Sequence, residues 1–429
     1  MARGTSNRKQ RTNNKGESSG FGSRRNFLRA TAGASALGLA GCLDNIGGGG
    51  GGSETVTYGV VSPMSGAYSS LAPGQRNGAK LAIRTLQEDD DFDFDIEGVY
   101  ADGQTEDTAS VQAAERLVQE DGANFIMGNI SSSVALAMNE FAADEQVIYN
   151  PGAAAVPITG ANCNDYVFRT ETNTAQIAEA VSEYTVNNLG TDVWFHIADY
   201  AYGTSVQNRV TQRMEEANSD LNVVGSTASQ LGSSNFDTYI SEIDNSDAEV
   251  VVIGMTGGDL INFTAQAVEA GITEDKDIMA PTMTFQVVRG ALGSAAYGLY
   301  GGVRYIADLD NPANNTFREA YMDMEENESG APPDNFARVG YQSIMMTAEG
   351  IKEAGSTNVD DVIDALEGLE MDSILGTNQF RACDHQALNP TWMGQCVEPD
   401  SGEMADVELL SKVEGPDAMI PCEETECSL

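Results

Sequence analysis

Three consecutive hydroxyls, Ser131, Ser132 and Ser133, are the residues of this chain whose type and spacing best suit chemistry with a small anion. They follow the apolar run 125–127 and the pair Gly128-Asn129, and they precede Val134, Met138 and Phe141 at helical spacing. The pattern predicts strand, tight turn and helix, with the serines where the helix begins. Unpartnered backbone N–H groups, three hydroxyls and the positive end of the helix dipole would converge there on a carboxylate. Alternatively, one serine is only an N-cap and its neighbours are solvated. Other chemistry is sparse. The chain has no GxSxG, P-loop or HExxH pattern, and His196 lies inside the apolar run VWFHIA, where a core histidine is expected rather than a base. His385 lies between cysteines, which favours a structural role. No CxxC spacing accompanies the two histidines, and the acidic stretch Asp89-Asp90-Asp91 to Asp95 lacks EF-hand spacing. A binding protein is expected and not an enzyme, with no cofactor and no metal.

The N-terminus predicts where it works. Residues 1–22 are polar, basic and without periodicity. Ser23-Arg24-Arg25-Asn26-Phe27-Leu28-Arg29 then precedes a weakly apolar stretch ending in Leu39-Ala40-Gly41-Cys42. Twin arginines, a short apolar core and small residues before a cysteine form a twin-arginine export signal with a lipobox-like cleavage point. Its apolar core is too short to span a bilayer. Residues 1–41 are therefore expected to be a signal, and 42–53 a lipidated Cys42 followed by a glycine tether that anchors the protein on the outer face of the membrane.

Charge fits an exported protein in strong salt. The chain carries −42 overall; eight of its 23 basic residues fall in the first 41, leaving 15 against 64 acidic ones. Such a chain repels itself at low ionic strength, the pattern of salt adaptation, and it lacks the basic stripe that nucleic acid requires. Export permits disulfides. With Cys42 acylated, five cysteines remain, so one is unpaired. Cys383 with Cys396 and Cys422 with Cys427 are the sequence-local pairs, leaving Cys163, although connectivity is not fixed by spacing.

Beyond the tether, strand and helix alternate. Strands are expected at 56–61, 96–100, 125–127 and 147–149, with helix faces at Ala79, Ala82, Ile83 and Leu86 and at Val111, Ala114 and Val118. A second series places strands at 193–198, 222–226, 250–254 and 278–281. From Tyr300 come a strand to Ile306 and helices around Phe317 and Tyr341, and 372–376 with a hairpin-like 379–395 closes the body. Two α/β units with parallel sheets are predicted, with ligand loops beyond the C-terminal strand ends and a cleft between the units.

Tyr58 to Gly66 (YGVVSPMSG), Gly74 to Ala82 (GQRNGAKLA), Ala101-Asp102, Gly128 to Ser133, Asn150 to Ala155, Phe168-Arg169-Thr170 and Tyr202-Gly203 recur in an order that resembles the substrate-binding proteins of branched-chain amino acid ABC transporters. The resemblance spans roughly residues 54–395. It implies the type I periplasmic binding fold, two Rossmann-like lobes joined by three crossovers, here 54–169 plus 304–375 and 170–303 plus 376–429. It also implies a small-molecule solute in the cleft and ABC permease and ATPase subunits as partners; a tethered sensor domain signalling to a membrane receptor is the alternative. Carried over residue by residue, Ile130, Ser131, Ser132 and Ser133 match the carboxylate turn. Gly152, Ala153 and Ala154 match a loop offering a carbonyl and a hydroxyl, and Tyr202 matches the cleft tyrosine of the second lobe. Two positions depart from relatives that bind α-amino acids: Ala154 replaces a threonine, and Thr282, after Ala280-Pro281, replaces the acid that neutralises the ammonium. The resemblance therefore implies branched-chain amino acids, or amide, urea-like or carboxylate solutes that lack the ammonium. Tyr68, Tyr202 and Phe285 are candidates for a stacking wall.

Overall fold

Each run expected as a strand forms one, the central ones because their alternate residues find an apolar layer on either side. The structure, a computed structural model, describes residues 54–429; the export signal, Cys42 and the glycine run lie outside the described residues. The first lobe opens with β1 (Thr55–Ser62), α1 (Ala72–Gln87), β2 (Asp95–Asp102), α2 (Asp107–Gln119), β3 (Phe125–Gly128), α3 (Ser132–Glu145) and β4 (Ile148–Pro151). Its four strands are parallel in the order β2-β1-β3-β4. Val56, Tyr58, Val60, Phe125 and Met127 pack on one face, and Val61 and Ile126 pack on the other with Leu117, Val134 and Met138. That is the period of two expected of a sheet buried on both sides.

The chain then enters the second lobe. It runs through α4 (Thr174–Tyr184), β5 (Asp192–Ala198), α5 (Ala201–Ala217), β6 (Asn222–Ser229), α6 (Asp237–Asp244), β7 (Val250–Gly254), α7 (Gly257–Glu269), β8 (Asp277–Ala280), α8 (Gln286–Leu292) and β9 (Tyr300–Val303). It returns to the first lobe as α9 (Pro312–Met322), α10 (Asn335–Ala354), α11 (Val359–Leu366) and the hairpin β10 (Glu370–Ser373) and β11 (Gly376–Gln379). It finishes in the second lobe with β12 (Thr391–Val397) and β13 (Asp406–Val413). The second sheet has the order β13-β12-β9-β8-β7-β5-β6, parallel from β6 to β9 and antiparallel at β12 and β13. The chain thus passes between the sheets three times. No helix among the described residues is long and apolar enough to cross a membrane.

Four expectations are corrected. The strand from Tyr300 stops at Val303, because the chain leaves the sheet at Arg304 to cross between lobes. Residues 379–395 are hairpin-like only as far as Leu388, where Phe380 bridges Ala387 antiparallel; beyond it β12 pairs with β9 and with β13, an edge strand not foreseen, while β11 pairs with β10. The third passage comes after residue 375, since Phe380 and Ala387 still pack beneath the first sheet and the second is joined only at Thr391.

The fourth correction is the disulfides, which link Cys163 to Cys427 and Cys383 to Cys422, with Cys396 a free buried thiol. Cys383 and Cys396 are 13 positions apart, but the third passage falls between them, so they end in different lobes. Cys396 lies in the second lobe's core, its Sγ 3.9 Å from the Met283 carbonyl and its pKa pushed up to about 12 by burial.

Candidate functional site

The serine turn is held by its own backbone. Gly128 has φ 135° and Asn129 φ 59°, a left-handed pair that turns the chain out of β3; a side chain at Gly128 would strike the Val61 carbonyl. Asn129 N–H donates to Val61 O at 2.8 Å, and the Asn129 side-chain oxygen accepts from the Tyr149 hydroxyl at 2.8 Å. Ser131 is the N-cap of α3 and Ser132 its first residue; both are buried and Ser133 is half-buried. Ser132 Oγ accepts from the Ala155 N–H at 3.2 Å, so it tethers the neighbouring loop while keeping its own proton to donate. Ile130 lies in an apolar seam with Tyr68, Leu71, Met255, Phe285 and Phe336, drawn from both lobes.

That neighbouring loop differs from expectation. Gly152 presses against the Gln75 amide and the Asn129 carbonyl, where a Cβ would not fit. The Ala153 and Ala155 carbonyls accept from Arg169 Nη1 at 3.2 and 2.6 Å, and the Ala154 carbonyl accepts from the Thr174 N–H at 2.8 Å. The Ala153 and Ala154 carbonyls thus each already accept one hydrogen bond, and Arg169, fully buried, fastens the loop to the first passage.

From the second lobe, Tyr202 in the first turn of α5 is buried, with its hydroxyl 3.4 Å from Arg304 Nη2 and beside the Thr282 hydroxyl. Burial raises its pKa against the opposing pull of the Arg304 cation. Thr282 Oγ1 donates to the Met255 carbonyl at 2.7 Å. The Phe285 ring lies 5.1 Å from the Arg304 guanidinium and meets Phe336 edge-on at 5.4 Å. Tyr68 reaches across from the first lobe and hydrogen-bonds hydroxyl to hydroxyl with Tyr200. Tyr68, Ser131, Ser132, Tyr202 and Thr282 are all at most 4 % exposed, so the lobes are closed on one another. His196 is a core residue: its Nδ1 is 2.8 Å from Thr227 Oγ1, its ring stacks on Phe263, and burial lowers its pKa to about 4. Among the described residues no group of His, Cys, Asp and Glu is arranged to hold a metal.

Several residues of this seam escaped the sequence reading: Tyr200, Asp259, and the charged group Glu171, Arg304 and Arg338. Their signal was present, since an arginine inside the strand-like GGVRYIA and a glutamate inside FRTETN are costly places for charge. Asp259, near Tyr68 and Tyr200 in the first turn of α7, accepts the Gly232 N–H at 2.9 and 3.2 Å. Burial raises its pKa to about 6. Unfolded, the group titrates near about 3.9, so the native state binds the proton more tightly and this contribution to stability is lost as pH rises through about 6. Urea unfolding of the native protein and Asp259→Asn should therefore show the native protein gaining on the variant as pH falls from about 7 to about 4.5. Parallel pH profiles would mean that the carboxyl titrates normally.

The chain belongs to the periplasmic binding protein family, which it matches over residues 55–403. It is 25% identical over 385 residues to Leu/Ile/Val-binding protein homolog 4 of Brucella abortus (strain 2308), covering 85% of this chain and 88% of that protein. Among solved structures it resembles an amino acid ABC transporter substrate-binding protein from Pseudomonas fluorescens Pf-5, with TM-score 0.78 and 22% identity over 88% of this chain and 100% of the other. It also resembles a solute-binding protein of an ABC transporter from Rhodopseudomonas palustris BisB5 in complex with 3,4-dihydroxybenzoic acid, with TM-score 0.76 and 21% identity over 84% and 98%.

Proposed function

We propose that this protein is the extracytoplasmic solute-binding component of an ABC importer, enclosing one small polar solute between its lobes and presenting the closed form to permease and ATPase subunits. The observation that carries this reading is the Tyr68–Tyr200 hydrogen bond across the lobes, above a seam whose polar groups, Ser131 to Ser133 from one side and Tyr202 and Thr282 from the other, lie at strand ends. A solute touching both lobes would favour closure by its differential affinity for that state. Family membership and the likeness to amino acid and aromatic acid binders support the class of solute. Export through the twin-arginine pattern and lipid attachment at Cys42 are part of the same proposal. Two disulfides support an oxidising compartment, and the charge of −42 supports strong salt.

The test is a thermal-shift screen in multimolar KCl against amino acids, amides, urea and small carboxylates, because a ligand that binds only the folded state raises the melting temperature. At least one solute should shift the native protein, and Ser132→Ala should weaken its binding by about 1–3 kcal/mol through the lost hydroxyl and the slackened 152–155 loop. Silence across the panel would overturn the reading.

A further inference from the structure

The three buried arginines among the described residues gather where the chain passes between the lobes. Arg169 precedes the first passage, Arg304 begins the second, and Arg338 of α10 donates to the Thr170 carbonyl at 2.8 Å. Glu171 is the carboxylate shared by two of them, 2.9 Å from Arg304 Nη1 and 3.9 Å from Arg338 Nη2, with its other contact the Asn335 side-chain amide at 2.8 Å. Asp384, the other buried carboxylate near this group, is held by Arg381 at 2.9 and 2.5 Å. Asp334, just before α10, accepts the Ala337 N–H at 2.8 Å. In a chain of net charge −42, the floor between the lobes therefore holds more guanidinium than fixed carboxylate facing it.

Arg304 is the member of this group that meets the cleft. Its Nη2 is 3.4 Å from the Tyr202 hydroxyl, its guanidinium lies over the Phe285 ring, and its buried Nε has no partner. Thr282, beside the same phenol, already donates to Met255. Beside Thr282, this wall still has to give the donor capacity of one guanidinium and one phenol. A planar guanidinium with an unpartnered Nε suits a carboxylate, and an ammonium placed at the same point would face a fixed cation.

We infer that Arg304 is the specificity-determining residue of the cleft, selecting a solute that presents a carboxylate, and not an ammonium, toward Tyr202 and Thr282. This rests on the solute-binding reading above and narrows it to a class of ligand. Glu171 and Arg338 act as positioning residues that fix the guanidinium.

The experiment is titration calorimetry in multimolar KCl with matched pairs, benzoate against benzamide and isovalerate against isovaleramide, together with leucine, on the native protein, Arg304→Gln and Tyr202→Phe. Burial keeps this contact from being screened as a surface one would be. In the native protein an acid should bind at least about ten-fold more tightly than its amide, equivalent to about 1.4 kcal/mol. Arg304→Gln should erase that preference by weakening the acid alone. Tyr202→Phe, which keeps the cation, should weaken the acid a few-fold and retain the preference, and it carries the test where Arg304→Gln fails to fold. Equal binding of acid and amide, or acid binding untouched in a folded Arg304→Gln, would overturn the inference. So would leucine as the tightest ligand with unchanged affinity in that variant, while leaving the solute-binding function intact. A native protein that binds none of the panel, nor any solute of the wider thermal-shift screen, would overturn both.

Discussion

Glu171→Gln is expected to cost about 3–5 kcal/mol of folding stability, the penalty of removing one partner from a fully buried ion pair. The side chain is completely buried and both oxygens are committed, one to Arg304 at 2.9 Å and the other to Asn335 at 2.8 Å, with Arg338 at 3.9 Å. Glutamine is nearly isosteric, so no cavity opens and packing is not the cause. Its amide, however, brings two N–H donors to a site where every neighbour is itself a donor, and it leaves two guanidiniums without their shared countercharge. Urea unfolding in KCl measures the loss, and Glu326→Gln provides the contrast. Glu326 also meets two cations, Lys80 at 3.7 Å and Arg84 at 3.2 Å, but its side chain is 30% exposed. Water and salt screen that pair, so the change there should stay within about 1 kcal/mol. Equal costs at the two sites would mean that the interlobe charges are hydrated in the native state.

The sheets were legible for a local reason. Runs such as VTYGVV and VVVIG are short, β-branched and buried on both faces, and each sits at the expected step of a βα alternation. The turn at 128–133 was legible too, because a glycine, an asparagine able to take positive φ and a serine cap are a local necessity for leaving a strand and starting a helix. What stayed hidden depends on long-range pairing. β12 carries no mark of whether it partners β11, 11 residues before, or β9, nearly 90 before. Arg304 and Glu171 are 133 positions apart, and neither reads as half of a pair until the passages bring them to 2.9 Å. The same holds for the alanine loop. Its carbonyls look free in sequence, but Arg169, 14 to 16 residues later, folds back onto two of them.

The disulfide between Cys163 and Cys427 should be the other large contributor, and replacing both cysteines by serine is expected to lower stability by about 2–5 kcal/mol. The bond closes a sequence separation of 264 residues, so cutting it restores much freedom to the unfolded chain. Serine costs little in the native state, because both positions are only half-buried. The tail it fastens leaves β13 in the second lobe and presses Gly415 against the Leu388 carbonyl at the third passage. Further on, the Ile420 carbonyl accepts Arg381 Nη1 at 2.6 Å, and the tail is bonded at Cys422 to Cys383 and at Cys427 to Cys163. The tail is thus a fourth link between the lobes, and any separation of them must carry it along. Cys396→Ser is the control for chemistry without cross-linking. That thiol is buried and unpaired, so its loss should leave the response of the melting temperature to reductant unchanged, whereas loss of the Cys163 and Cys427 pair should reduce that response. Added reductant should lower the melting temperature of the native protein and of Cys396→Ser alike, and should lower that of the double serine variant less. A double variant as stable as the native protein would mean that the tail is held by its packing at Gly415 and Ile420 and not by the bond.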